Sequence, residues 1–187
     1  MKKDIKSKMG IFPMPVLLIS TYNEDGSVDV MNAAWGMMQD YDKVAVNLAR
    51  EHKTTDNIFR NKAFVIHFAN AKYVAEADYF GLVSGADAKD KFARSKLHAS
   101  KAKYVNAPII DELPLAIECE FIEFQEDATG CGVIAKVVNV SANDDVLVDG
   151  KIDIDKVEAI SYDPFTHGYY KVSGRVADAF KVGNKLK

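Results

Sequence analysis

Cysteine is scarce in this 187-residue chain: Cys119 and Cys131 are the only two. Two thiols cannot build a disulfide framework, and they form no C-x-x-C metal or redox pair. Cys119 alternates with Glu118 and Glu120 in IECEF, which turns it inward as a buried structural thiol. A bridge to Cys131 requires the two strands to pair, and a reducing, cytoplasmic setting fits better. The four histidines show no metal-ligand spacing. No apolar run approaches the roughly 20 residues of a membrane span. MKKDIKSKMGIFPMPVLLIS has the basic start of a secretory leader. Its apolar run is broken by Pro13 and Pro15, and no A-x-A-like site follows. Also missing are the G-x-G-x-x-G and Walker loops that cradle nucleotides, and the G-x-S-x-G elbow of serine hydrolases. Asp144-Asp145 and Asp153/Asp155 read as turn and helix-start residues rather than paired acid/base groups. Lys and Arg number 24 against 27 Asp and Glu, giving a net charge of −3. The signs are interleaved, so no basic face is set aside for nucleic acid.

What is present is enough apolar residue for one core, 48% of the chain, and a length that suits a single domain over residues 1–187. PVLLIST (Pro15–Thr21) and SVDVMNAA flank the turn residues NEDG and predict a hairpin. KVAVNLA (Lys43–Ala49) alternates, with Val44, Val46 and Leu48 inward. A helix is expected from Thr54 to Asn61, then a strand over Ala63–Ala69. Val74, Ala77 and Phe80 are spaced as one helical face within Lys72–Gly85, and Ala86–Lys96 predicts a second short helix. Ala116–Phe124 and Cys131–Ala142 are strands around EDATG. IDIDKVEAI suggests a short helix, and the tail is irregular with some strand character. Short strands dominate and helices are inserted between them. The fold class is mainly β: a closed or nearly closed antiparallel barrel with helical decorations.

Three stretches carry candidate chemistry. REHKTTDNI (Arg50–Ile58) crowds Arg50, His52 and Lys53 at a helix start, where the dipole prefers an anion. With Thr54 and Thr55 these are the ingredients of a phosphate site. The plainer reading is a threonine N-cap with solvated or ion-paired basic residues. VMNAAWG (Val30–Gly36) sets the only tryptophan, Trp35, beside small residues and Asn32. That combination admits a flat ligand, or else a tryptophan that anchors the core. VSGADAKDKF (Val83–Phe92) is a turn at Ser84 and Gly85 followed by lysines, which reads by itself as a cap and a charged face.

In this order, and with PMPVLLIST, VAVNLA, ELPLAIECEFIEF and the tyrosine-containing tail, the chain resembles the flavin reductase-like, FMN-binding split-barrel family, and within it the flavoredoxin branch. The resemblance implies a Greek-key split β-barrel with FMN at a homodimer interface. It implies Asn32, Ala33, Ala34 and Trp35 along the isoalloxazine. Arg50, His52, Lys53, Thr54 and Thr55 would hold the phosphate and ribityl end. Ser84, Gly85 and Lys91 would add contacts, and Tyr169 or Tyr170, with Tyr170 preferred, would lie beside the ring. GMMQDYD after the tryptophan leaves the substrate face undefined. His67 reads as a satisfied barrel histidine and His98 as solvated; His167 is the better candidate among the histidines for the flavin's surroundings but is not taken as a site residue. The implied activity is of flavin reductase type, with NAD(P)H reducing the flavin and a second, unidentified acceptor taking the electrons. The alternatives are an FMN electron carrier for which NAD(P)H is no substrate, and a barrel that binds without flavin.

Overall fold

The computed structural model describes residues 1–8, 10–127 and 130–187, with the side chains at 127, 130 and 131 outside the description. The chain's frame is a curled, seven-stranded antiparallel sheet, built from β1 (Leu17–Tyr22), β2 (Val28–Ala33), β3 (Gly36–Asp40), β4 (Lys43–Asn47), β5 (Ala63–Phe68), β6 (Leu115–Asp127) and β7 (Gly130–Ala142). Their order is β2-β1-β5-β6-β7-β4-β3. The expected hairpin forms around NEDG, with Leu17 opposite Ala33 and Tyr22 opposite Val28. Helix α1 (Lys53–Asn61) crosses from β4 to β5. Helices α2 (Val74–Leu82) and α3 (Lys91–Ser95) follow β5, so α3 is shorter than the expected 86–96. Helix α4 (Ile154–Val157) starts on Asp153, whose carboxylate accepts the Asp155 N–H at 2.9 Å. A small sheet joins Met14–Pro15, β8 (Ile160–Asp163) and β9 (Gly168–Lys171).

Both faces of the central strands are covered, which explains the uninterrupted apolar run of β1. Leu17 and Ile19 pack inside the barrel with Val46, Ile58, Phe64 and Cys119. Val16 and Leu18 point the other way, under Ala77 and Phe80 of α2. Helix α1 buries little apolar area, since Ile58 is its one fully buried aliphatic side chain. Hydrogen bonds fix it to the end of β1 instead. Asn57 donates to Thr21 Oγ1 and Asn23 Oδ1 at 3.1 and 2.9 Å, and Asn61 donates to the Tyr22 carbonyl at 2.7 Å.

Two buried polar residues mark where alternation misleads. Glu118, expected outward beside Cys119, is buried as well. Its carboxylate accepts the Tyr104 N–H at 2.7 Å and the Asn139 amide at 2.8 Å. His67 is fully buried: Ile110 N–H donates to its Nε2 at 3.3 Å. That bond puts the ring proton on Nδ1, which leans toward the Leu115 backbone without a well-formed hydrogen bond. Cys119 is buried and its thiol is pushed up to about 12 by that burial, then by the Glu118 charge. The side chain of Cys131 lies outside the described residues. The ladder sets Cys119 opposite Val137 and Cys131 opposite Glu126. That register holds the two backbones some 20 Å apart at about 3.3 Å per residue, well beyond disulfide reach. Among the described residues no helix is long and apolar enough to cross a membrane.

Candidate functional site

The basic helix start is real, and its first helical residue is Lys53. His52 takes the extended N-cap conformation, φ −71° and ψ 135°, and its side chain makes no cap bond. Its carbonyl accepts the N–H groups of Thr55 and Asp56. The N–H groups of Lys53 and Thr54 have no partner among the described residues. Neither threonine is the cap, which corrects that part of the sequence reading. Both hydroxyls turn inward: Thr54 donates to Asp29 Oδ2 at 2.5 Å, and Thr55 to the Ala49 carbonyl at 2.9 Å. What faces outward is therefore backbone N–H and cationic side chains, the donor set an anion needs. The Lys53 ammonium lies 3.1 Å from the Gly85 carbonyl, which ties the 84–85 turn to the helix start. Arg50 pairs with Asp56 at 2.5 Å and lies over the Phe59 ring. Both partners of that pair are half exposed, so little free energy opposes its opening.

Beside the helix start lies a crevice of about 250 Å³, lined by Met31–Trp35, Asn47–Ala49 and His52. Ala33 and Ala34 keep its wall low. Trp35 is 58% exposed, which removes the core-anchor reading and leaves a large aromatic face at the crevice mouth. Asn32 donates to the Ala77 carbonyl at 2.8 Å, so its amide is held in one orientation. Ser84 is exposed and accepts the Ala86 N–H at 3.1 Å. Gly85 is buried, and a Cβ there would lie 2.3 Å from Asp29 Oδ1. Lys91 does not open toward the crevice. It is 4% exposed, with its ammonium on the Phe80 carbonyl at 2.9 Å. Burial lowers its pKa, and the charge of Asp29 acts in the opposite sense.

Behind the same strand end is a second cleft of about 380 Å³, between α2 and the β8–β9 hairpin. Asn32 and Ala34 line both spaces. Tyr162 Oη lies 2.7 Å from His167 Nδ1, and Tyr169 donates to Asp78 Oδ1 at 2.8 Å. Burial and then that Asp78 bond push the Tyr169 hydroxyl up to about 12. His167 takes a left-handed backbone, φ 60°, at the hairpin turn. Tyr170 does not share this cleft. Adjacent strand residues point to opposite faces, and Tyr170 packs edge-on against Phe12 with centroids 6.0 Å apart. Tyr169, the other tyrosine considered, is the one in the cleft. Asp78 and Asp29 were not singled out from the sequence, because each is an isolated carboxylate with its partner 91 or 25 residues away.

A half-barrel with a basic helix start, an open crevice and a second polar cleft is a split-barrel architecture. The chain belongs to the flavin reductase like domain family, whose model matches residues 9–157. Flavoredoxin of Desulfovibrio vulgaris (Miyazaki F) is 33% identical to it and superimposes with a TM-score of 0.92, over 98% of this chain and 100% of the other. A flavoredoxin from Methanosarcina acetivorans is 26% identical, with a TM-score of 0.89 and full coverage of both chains. An FMN-binding domain of a flavin reductases-like enzyme from Shewanella baltica OS155, 22% identical, shares the fold with a TM-score of 0.77, over 88% of each chain.

Proposed function

We propose that this chain binds FMN and transfers electrons through it. The observation that carries the reading is the junction of two open N–H groups and Lys53 with the crevice along Asn32–Trp35. The phosphate would sit at the start of α1, held by the Lys53 and Thr54 N–H groups and the side chains of Lys53, Arg50 and His52. The ring would lie along Ala33, Ala34 and Trp35. Bound there, the flavin supplies the redox chemistry, accepting a hydride and passing electrons on, while the protein contributes binding, orientation and electrostatics. No indispensable acid or base is needed for that role.

The activity we favour is of flavin reductase type: NAD(P)H reduces the flavin, and a second acceptor reoxidises it. A second reading, an electron carrier that NAD(P)H does not reduce, is supported by the flavoredoxin names of two similar structures. Anaerobic addition of NADH or NADPH to the FMN-loaded protein separates them. Bleaching of the flavin within turnover times supports the reductase, and an unbleached spectrum supports the carrier. The cytoplasm is the compartment proposed for either.

A homodimer is part of the proposal. The edge strand β3 exposes Met37 at 69% and Met38 at 53%, next to Trp35 and Tyr41. So compact an apolar edge calls for cover. Sedimentation is expected to give a dimer, and a monomer that still binds FMN tightly would remove the partner subunit from the site. Trp35 gives a further check. Its fluorescence is expected to fall sharply as FMN saturates the protein. Unchanged emission at saturation, judged by the flavin's own absorbance, would move the ring away from Trp35.

A further inference from the structure

We propose that Asp29 is the internal counter-charge of the phosphate site, and that it sets how strongly the site prefers a phosphate-bearing ligand. The proposal rests on the phosphate being held at the start of α1. Asp29 lies on β2 yet meets three other elements. Its Oδ2 accepts the Thr54 hydroxyl at 2.5 Å, at the second residue of α1. Its Oδ1 occupies the space that a side chain at residue 85 would need, 2.3 Å from the Cβ position. Its charge also bears on the Lys91 ammonium of α3. Lys53 reaches the same place from above, with its Cδ 3.5 Å from that Cβ position and its ammonium on the Gly85 carbonyl.

Asp29 is 4% exposed and Lys91 is 4% exposed, so neither charge is hydrated. A buried cation is tolerated only with a compensating charge nearby. No carboxylate lies within ion-pair distance of Lys91 or Lys53 among the described residues. Asp29 thus offsets Lys91 without contacting its ammonium, while Lys53 comes close to the same space through its stem and its charge bears on Asp25. Without ligand, this keeps the Thr54, Gly85 and Lys91 segments together. With a phosphate at the Lys53 and Thr54 N–H groups, the same carboxylate repels the ligand across a few ångströms of protein. The residue therefore exchanges affinity for a prebuilt site.

Asp29→Asn tests this, because the amide oxygen still accepts the Thr54 hydroxyl while the charge is gone. The measurement is the ratio of FMN to riboflavin affinity, with thermal unfolding of the ligand-free protein beside it. The ratio is expected to rise about three- to tenfold, on the scale of one screened charge pair, while the free protein's Tm falls. Asp29→Ala, which loses the acceptor as well, is expected to lower affinity for both ligands. Should Asp29→Asn fail to fold, Lys91→Gln and the double variant Asp29→Asn/Lys91→Gln replace it. The first is expected to lower the ratio and the second to restore it. An unchanged or reduced ratio in Asp29→Asn, or no restoration in the double variant, overturns the proposal and leaves Asp29 a scaffold residue. A wild-type ratio near one would instead refute the phosphate site itself.

Discussion

Riboflavin is expected to bind at least about a hundredfold more weakly than FMN. The two share the isoalloxazine and the ribityl chain, and differ only in the phosphate. In the proposed site that phosphate would meet, at the start of α1, two N–H groups without protein partners among the described residues and the Lys53 ammonium. Hydrogen bonds to charged groups contribute on the order of 1.5–3 kcal/mol each. Two of them, at tenfold per roughly 1.4 kcal/mol, give the expected factor. Lys53→Ala is expected to reduce FMN affinity about tenfold or more, with little effect on riboflavin. Rising salt is expected to act in the same direction, because it screens the charged ligand more than the neutral one. The inward-turned threonines sharpen the test. Thr54→Val removes the bond to Asp29, so it is expected to loosen the site for both ligands and to leave the selectivity with the backbone and Lys53. Isothermal titrations with the two ligands decide. Equal affinities would mean that the open N–H groups are merely solvated.

Acid is expected to destabilise the protein through His67. Burial holds this imidazole down to about 4, from an ordinary value of 6.5, with the Leu115 backbone acting in the opposite sense. The folded state keeps the ring neutral where the unfolded chain would protonate it. The stabilisation is therefore complete above pH 6.5 and is lost as pH falls from there toward 4. At about 1.36 kcal/mol per unit, linkage puts the loss near 3 kcal/mol by pH 4. That is a large fraction of a typical folding free energy of roughly 5–15 kcal/mol. Urea unfolding at pH 7 and at pH 4.5 measures it, and His67→Gln is expected to flatten the difference while lowering stability at pH 7. If both proteins lose the same amount between those pH values, His67 is not the source. The carboxylates of Asp163, lowered first by the Thr166 hydroxyl, and of Glu112, which burial raises but the His98 contacts lower on balance, add losses at still lower pH.

The strands of the barrel were legible because alternation and turn residues agree with the fold. Val44, Val46 and Leu48 point inward as their spacing requires, and NEDG closes the first hairpin. β3 was not legible, since Gly36–Asp40 is an exposed edge with no buried face to impose a pattern. Glu118 escaped for the opposite reason: its strand is buried on both sides, so its polar position is inside as well. The basic residues of Arg50–Lys53 marked the helix start correctly. The roles of Thr54 and Thr55 were not readable, because their partners, Asp29 and Ala49, are supplied by other segments. Nor could residue order choose between Tyr169 and Tyr170, where one position of strand register decides which ring enters the cleft.

The most direct test is FMN itself, added to the purified protein and followed by visible absorbance and thermal unfolding. FMN at a hundredfold over its dissociation constant is expected to add about 2.7 kcal/mol of stability. For a chain of this size that is a rise in Tm of roughly 5–10 °C, at about 2–4 °C per kcal/mol. It should come with a perturbed flavin band, if the protein is not already yellow as purified. A colourless protein whose Tm and spectrum do not change with FMN far above micromolar would contradict the account.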